Sequence, residues 1–237
     1  DPARLEAAIT PASKLLVLNS PSNPTGMVLS RTELEAIAAV LRRHPHVAVV
    51  CDEIYEFLLA PDHSHHSLAA VAPDLADRIF SVNGFAKGWA MTGWRIGWLA
   101  GNAEVVKAAI ALQSQSTSNV CSFAQFGALA AIKGSRECVI AMAERFNERR
   151  QLLSDGLQAI PGLQLLPPEG AFYAFPDISS SGLDSMSFCN RLLDEQGLAV
   201  VPGVAFGDDR CIRLSCAAAN GQIEDGLNRL ERFMAGL

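Results

Sequence analysis

The sequence predicts an α/β fold with a partial, mostly parallel sheet and flanking helices, followed by a small α+β domain. Short apolar runs alternate with helical patterns in the first half, the order that builds a parallel sheet. Polar residues follow these apolar runs, at the strand ends where ligands of open α/β sheets bind. Shorter strands and two helices follow a Pro161-Gly162 stop, which is typical of a separate unit.

The first strand and helix are predicted from an apolar run and a capping motif. Residues 15–18 are continuously apolar, which is typical of a strand covered on both faces. A proline-containing loop, residues 19–26, ends this strand. Ser30 begins a helix, and Glu33 three residues later completes a capping box.

Three more strands are predicted before residue 101. Residues 47–50 form a buried strand that ends at Cys51-Asp52-Glu53, and residues 78–82 form a strand that ends at Asn83-Gly84, a turn signal. Residues 96–100 indicate another strand. Asn23, Asp52 and Lys87 would therefore all lie just beyond strand ends, which predicts one shared site.

The domain boundary is expected inside a long helix over residues 136–160, which gives domains 1–140 and 141–237. Before it, residues 103–132 read as helical pieces around a polar loop at 113–119. The second domain is expected to contain strands 163–166, 171–175, 198–201 and 211–214, a helix over 185–196 and a last helix from residue 221.

Composition excludes several classes of protein. The chain has 237 residues, a net charge of −6 and no long basic tract, so nucleic acid is not an expected partner. No apolar run approaches the roughly 20 residues that a membrane helix requires. Six cysteines without paired spacing predict buried free thiols in a reducing compartment, the cytoplasm.

The segment from Ser81 to Trp98 carries one lysine, Lys87, and one arginine, Arg95, among small and apolar residues. A lysine amine in an apolar pocket is costly to keep charged and so becomes a nucleophile. Arginine is a permanent planar cation that suits phosphate. Together they indicate a lysine that holds a phosphorylated aldehyde as a Schiff base. The alternative for Lys87 is an ordinary surface or ion-paired lysine.

This segment closely resembles the lysine segment of the fold-type I pyridoxal-phosphate aminotransferases, the aspartate aminotransferase family. Three further motifs match that family in the same order: Asn23-Pro24-Thr25-Gly26, Asp52-Glu53-Ile54-Tyr55 and Cys211-Ile212-Arg213-Leu214-Ser215. The match covers nearly the whole chain, and four ordered motifs are more specific than one. The resemblance implies transamination between an amino acid and a 2-oxo acid, pyridoxal 5'-phosphate as cofactor and a homodimer.

By resemblance, four residues contact the cofactor ring. Lys87 binds it and acts as the acid/base at the substrate α-carbon, and Asp52 binds the protonated pyridine nitrogen. Asn23 and Tyr55 hydrogen-bond the phenolic oxygen. The structural alternatives are a helix cap for Asp52, a turn residue for Asn23 and a core aromatic for Tyr55.

Two arginines are assigned to anions by the same resemblance. Arg95 pairs with the cofactor phosphate, and Arg213 forms a bidentate pair with the substrate α-carboxylate. For Arg213 the alternative is a structural ion pair. Phe172 and Tyr173 resemble pocket-wall residues, although packing explains them nearly as well. His63, His65 and His66 lack a spaced second ligand group, so a solvated loop without metal is expected.

Two features depart from the family pattern. Ala86 precedes Lys87, where many relatives carry serine or threonine that helps to bind phosphate. Only 22 residues precede Asn23, whereas relatives carry a long N-terminal part. We therefore expect a C-terminal portion of an aminotransferase, with a truncated large domain, impaired activity and self-association through exposed sheet edges.

Two other functions remain open from the sequence. A carbon–sulfur β-lyase would use the same cofactor residues, because fold and cofactor site are shared across these activities. A non-catalytic remnant would act only as a binding or structural domain. The sequence does not specify the amino acid substrate.

Overall fold

The computed structural model describes all 237 residues, which fold into two compact units. The first unit comprises Asp1–Pro21, Val28–Phe57 and Ser64–Ile140. The second comprises Ser22–Met27, Leu58–His63 and Ala141–Leu237. Two short loops from the N-terminal half therefore belong to the second unit, so the units are not two uninterrupted stretches of chain. None of the helices combines the length and the apolar character needed to cross a membrane.

The first unit contains a four-stranded sheet with the strand order β1-β2-β3-β4. Strands β1 and β2 pair in parallel, as do β2 and β3, whereas β4 runs antiparallel to β3. The prediction of a mostly parallel sheet is thus confirmed. The strands are β1 (Leu15–Asn19), β2 (Ala48–Asp52), β3 (Ile79–Gly84) and β4 (Gly97–Ala100).

Five helices accompany this sheet, and the capping box begins α2 as predicted. The Ser30 hydroxyl accepts a hydrogen bond from Glu33 N, and the Glu33 carboxylate accepts one from Ser30 N. Apolar residues of α2 pack with β2 and β3 in one buried core. The helices are α1 (Pro2–Ala8), α2 (Arg31–Arg43), α3 (Leu68–Val71), α4 (Ala103–Ser116) and α5 (Ser122–Lys133), with 3₁₀ turns at Pro73–Arg78 and Thr92–Trp94.

Two predictions about these strands are wrong. Strand β1 is covered on one face only: Leu16 and Leu18 pack against the core, but Leu15 and Val17 are 54% and 62% exposed. An apolar run shows that a strand could be covered on both faces, but it does not supply the covering element. Asn83-Gly84 is not a turn, because both residues lie in β3 and pair with β4.

The second unit contains a three-stranded antiparallel sheet of order β5-β7-β6. Residues 163–166 form no strand, since only an isolated bridge joins Gln164 to Asp177. The helix at 185–196 agrees with its prediction. The elements are α6 (Glu137–Ala159, which begins in the first unit), β5 (Tyr173–Ala174), α7 (Ser185–Gln196), β6 (Val201–Pro202), β7 (Ile212–Ser215) and α8 (Asn220–Ala235), with 3₁₀ turns at Ser179–Ser181 and Gly203–Phe206.

The cysteines divide into two groups. Cys51, Cys189, Cys211 and Cys216 are buried, whereas the other two cysteines, Cys121 and Cys138, are exposed. The prediction of buried thiols is therefore wrong for that pair, which lies just before and near the start of surface helices. Burial raises the pKa of the Cys51 thiol to about 12 and those of the other three buried thiols to about 11.

Candidate active site

Asp52 is the last residue of β2, so its carboxylate lies at the carboxyl end of the sheet. In the strand register it stands between Asn19 of β1 and Val82 of β3. Its Oδ1 accepts a hydrogen bond from Ile54 N at 3.1 Å. This bond closes a turn and does not cap a helix, because no helix begins at Asp52, and it fixes the carboxylate at the strand end.

Lys87 lies on a turn that follows β3, close to Tyr55. The Lys87 Nζ is 5.8 Å from the centre of the Tyr55 ring, within the range of a cation–π contact. Tyr55 is only 5% exposed. The turn is closed by hydrogen bonds from Ala90 N to the Lys87 carbonyl and from Met91 N to the Phe85 carbonyl. The structure therefore brings together two of the predicted site residues, which stand 32 positions apart in the sequence.

Arg95 takes an unusual backbone conformation between the 3₁₀ turn and β4. Its φ of 51° lies in the left-handed region, which costs a residue with a side chain about 1–2 kcal/mol. The exposed Arg95 guanidinium donates a hydrogen bond from NH1 to the Thr92 carbonyl at 3.1 Å. Strained positions of this kind are concentrated at functional sites.

Asn23 and Arg213 belong to the second unit, and the structure joins them. The Arg213 NH1 donates to Asn23 Oδ1 at 2.8 Å. The guanidinium carbon lies 4.6 Å from the centre of the Tyr173 ring and 5.0 Å from that of Phe206. These partners are neutral, so the hydrogen bond and ring contacts orient the Arg213 cation without neutralising it.

The loop that carries Asn23 is fixed within the second unit. Gly26 N donates to the Ser22 carbonyl, which closes the loop on itself. The Gly26 carbonyl accepts hydrogen bonds from Glu169 N and Gly170 N at 2.9 and 2.8 Å. The motif therefore holds Asn23 beside the segment that leads to Tyr173.

Sequence reasoning missed two residues that support these groups, Glu56 and Arg150. Glu56 Oε1 accepts a hydrogen bond from Asn83 Nδ2 at 2.8 Å, next to the Lys87 turn. Arg150 is 4% exposed and donates to the Ala171 carbonyl at 2.8 Å, just before Tyr173. Arg149-Arg150 resembles an ordinary solvated helix face, so the sequence carried no signal for this contact. The sequence did offer a signal for Glu56, because this residue immediately follows the Asp52-Glu53-Ile54-Tyr55 motif.

The histidine-rich loop is only partly solvated. The His65 side chain is 13% exposed, and its Nε2 lies 3.8 Å from Glu53 Oε2 in the first unit. His63 belongs to the second unit, where its Nε2 lies 3.4 Å from Glu169 Oε1. The expectation of a solvated loop is therefore wrong for His65, whose side chain lies largely buried beside the Glu53 carboxylate.

The donor set of the first unit fits pyridoxal 5'-phosphate. Lys87 offers an amine for an aldehyde, beside a buried tyrosine. Asp52 offers an anion at a strand end, which suits a cationic ring nitrogen. Arg95 offers an exposed guanidinium for a phosphate.

The chain is similar to known aminotransferases over its whole length. The profile of the aminotransferase class I and II family matches residues 1–230. An aspartate/prephenate aminotransferase of Cereibacter sphaeroides is 44% identical and covers 100% of this chain. A bifunctional aspartate and glutamate/aspartate-prephenate aminotransferase of Petunia hybrida is 42% identical and covers 99%.

Solved structures agree with the sequence comparison. The aspartate aminotransferase of Rhizobium meliloti matches 99% of this chain with a TM-score of 0.94 and 38% identity. The chain spans 61% of that structure, 62% of the Cereibacter relative and 51% of the Petunia relative.

Proposed function

Because this chain belongs to the aminotransferase class I and II family, we propose that it carries the lysine site of a pyridoxal 5'-phosphate-dependent transaminase. Such an enzyme moves an amino group between an amino acid and a 2-oxo acid. The observation that carries the proposal is the position of Lys87, whose Nζ lies 5.8 Å from the Tyr55 ring centre. Asp52, on the strand next to β3, supports it.

In the first unit, each site residue has a distinct role. When bound, pyridoxal 5'-phosphate supplies an electron sink for the negative charge that develops at the substrate α-carbon. Lys87 Nζ would hold the cofactor aldehyde and, once freed, would remove and return the α-proton of the substrate. The Asp52 carboxylate would accept a hydrogen bond from the pyridine N–H, Tyr55 Oη would donate to the phenolic oxygen, and the Arg95 guanidinium would bind the phosphate.

In the second unit, Arg213 binds the substrate α-carboxylate. A guanidinium matches the geometry of a carboxylate and can form two parallel hydrogen bonds with it. The contacts with Tyr173 and Phe206 fix the guanidinium plane before substrate arrives. Asn23 Oδ1 accepts a hydrogen bond from Arg213 NH1 at 2.8 Å, which holds the guanidinium from a further direction.

We propose aspartate as the amino donor and prephenate as one acceptor, because several relatives are named for these two substrates. The β-lyase alternative is not favoured, since the matching relatives and structures are named aminotransferases. An assay of both reactions distinguishes them. Transfer from aspartate to prephenate or 2-oxoglutarate supports transamination, whereas release of a 2-oxo acid from cystathionine contradicts it.

We also propose a homodimer in the cytoplasm. Leu15 and Val17 expose an apolar face of β1, and Phe123 and Phe126 are 72% and 74% exposed on α5, which is typical of surfaces that another chain covers. Six free thiols suit a reducing compartment. Sedimentation velocity should show a dimer that persists on dilution, and a monomer at all concentrations would contradict the assembly.

Reductive trapping tests the lysine assignment directly. The protein is incubated with pyridoxal 5'-phosphate, reduced with borohydride and digested, and the modified lysine is found by mass spectrometry. We expect labelling of Lys87 in preference to Lys14, Lys107 and Lys133, which are all exposed. In the control variant Lys87→Arg, selective labelling should disappear. Labelling that follows exposure instead would refute the site.

A further inference from the structure

The turn that carries Lys87 is held at its start by Glu56. Asn83, four residues before Lys87, is 4% exposed and donates from Nδ2 to Glu56 Oε1 at 2.8 Å. The Asn83 Oδ1 accepts a hydrogen bond from Gly84 N at 2.7 Å. One side-chain amide therefore joins the carboxylate of Glu56 to the backbone at the end of β3.

The same turn is held beyond Lys87 by Phe57. A Cβ added at Gly88 would lie 2.6 Å from Phe57 Cδ2, so the Phe57 ring rests directly against this glycine. The ring also meets Trp89 edge-on, with 5.0 Å between ring centres. The Arg136 guanidinium carbon lies 5.4 Å from the Phe57 ring centre, which adds a contact on the ring itself.

The three residues Tyr55, Glu56 and Phe57 thus contact the lysine turn at three points. Glu56 bonds before Lys87, Tyr55 faces the amine, and Phe57 packs after it. No extended run of secondary structure includes the turn, because β3 ends at Gly84. These side-chain contacts therefore help to hold the turn, together with its two internal backbone hydrogen bonds and the bond from Phe85 N to the Ile96 carbonyl.

We propose that Glu56 and Phe57 are positioning residues that clamp the Lys87 turn and hold its amine at Tyr55. The inference rests on the proposed function, because it assigns the clamp to the reactivity of Lys87. The carboxylate oxygen of Glu56 acts as a hydrogen-bond acceptor for Asn83, and its charge is not required. A neutral side chain with an oxygen in the same place therefore preserves the clamp.

Charged and titratable groups surround the clamp. Burial raises the pKa of the Glu56 carboxyl above its usual range, and Glu53 adds to this. The nearby His65 and Arg136 side chains and the Asn83 hydrogen bond oppose this rise of the Glu56 pKa. Burial makes the charged form of the Glu56 carboxyl unfavourable. Glu56→Gln removes the charge but keeps an oxygen that can accept the hydrogen bond, so this variant separates the role of the hydrogen bond from that of the charge.

The experiment compares Glu56→Ala, Glu56→Gln and Phe57→Leu with the parent protein. Amide hydrogen exchange is measured without cofactor on peptides that cover residues 84–90 and, as an internal reference, β2. The rate of Lys87 labelling by pyridoxal 5'-phosphate and borohydride is measured from pH 6 to 9. Glu144→Ala, at an exposed glutamate on α6, is the matched control.

We expect Glu56→Ala to speed exchange in residues 84–90 by about tenfold, since the buried Asn83 amide loses its hydrogen-bond acceptor. Lys87 labelling should slow by a similar factor, while exchange in β2 stays unchanged. Glu56→Gln should restore the exchange rate, the labelling rate and the pH profile. Phe57→Leu should loosen the turn to a smaller extent, and Glu144→Ala should change nothing.

Other outcomes distinguish a failure of the clamp from a failure of the proposed function. Unchanged exchange and labelling in Glu56→Ala would overturn the clamp, as would a Glu56→Gln variant that behaves like Glu56→Ala. If Glu56→Ala fails to fold, Phe57→Leu and Glu56→Gln give the same decision, because the clamp requires opposite results from them. Faster exchange in Glu56→Ala, combined with no selective Lys87 labelling in the parent protein, would refute the proposed function and leave the clamp as a structural device.

Discussion

Replacing Gly26 with alanine tests whether close packing fixes the loop that carries Asn23. The Gly26 φ is +71°, a conformation that glycine adopts without strain. A Cβ at this position would lie 2.4 Å from Pro168 Cβ and 2.9 Å from the Gly170 carbonyl oxygen. These neighbours are a proline ring and a backbone atom, so neither can rotate away.

The expected loss of unfolding free energy has a backbone term and a packing term. In the backbone term, the left-handed conformation costs alanine about 1–2 kcal/mol, while the reduced freedom of the unfolded chain offsets about 0.4–1 kcal/mol of that cost. The packing term, overpacking of the added Cβ, costs about 1–3 kcal/mol. Gly182 provides the matched control, because its φ is +70° and a Cβ there would meet nothing within 4 Å. Gly182→Ala therefore carries the backbone term alone.

Urea unfolding of the two variants measures the difference. Gly26→Ala should lose about 1–3 kcal/mol more unfolding free energy than Gly182→Ala, which is the overpacking term. The Arg213 contact gives a second measurement, because a displaced Asn23 should weaken carboxylate binding in Gly26→Ala only. Equal losses of stability in the two variants would refute the reasoning, since they differ in packing and not in backbone conformation.

Two further predictions concern titratable groups. In the native protein at pH 8, Ellman's reagent should modify the exposed Cys121 and Cys138. The buried thiols, such as Cys51 with a pKa of about 12, should react only after unfolding. Four or more thiols that react in the native protein would contradict this prediction. Because burial raises the Glu56 pKa, the folded state binds that proton more tightly, and stability is lost as pH rises above the usual value of 4.5. Glu56→Gln should therefore gain unfolding free energy relative to the parent as pH rises, and a gain independent of pH would argue against a buried carboxylate.

The elements that local chemistry determines were predictable from the sequence. The capping box places the start of α2 because two side chains satisfy backbone groups within one turn. The helix at Ser185–Gln196 begins at Asp184, whose side chain accepts from Ser187 N, and ends at Gly197 in the left-handed conformation. In both cases the signal lies within the element itself.

Features that depend on distant partners were not predictable in this way. Asn-Gly favours turns, yet pairing with Gly97 and Trp98 extends β3 through Asn83 and Gly84. A Cβ at Gly84 would lie 2.8 Å from Gly97 Cα, so this glycine serves close approach between strands. Short-range propensity does not distinguish these two uses of glycine.

The candidate site shows the same division. Asp52 and Lys87 could be placed near strand ends from the sequence. One apolar run ends just before Asp52, and another ends a few residues before Lys87. The bond between Arg213 and Asn23 joins residues 190 positions apart, and only family resemblance associated them before the structure.

The Lys87 amine and the Arg213 guanidinium share an arrangement that periodicity does not reveal, because each lies over buried or half-buried aromatic rings. A structural ion pair would satisfy the Arg213 cation with a carboxylate, whereas Arg213 bonds a neutral amide and lies against two rings. Such contacts restrict the direction of the charge but retain its capacity for an anion. This arrangement favours a ligand-binding role for Arg213 over the structural alternative.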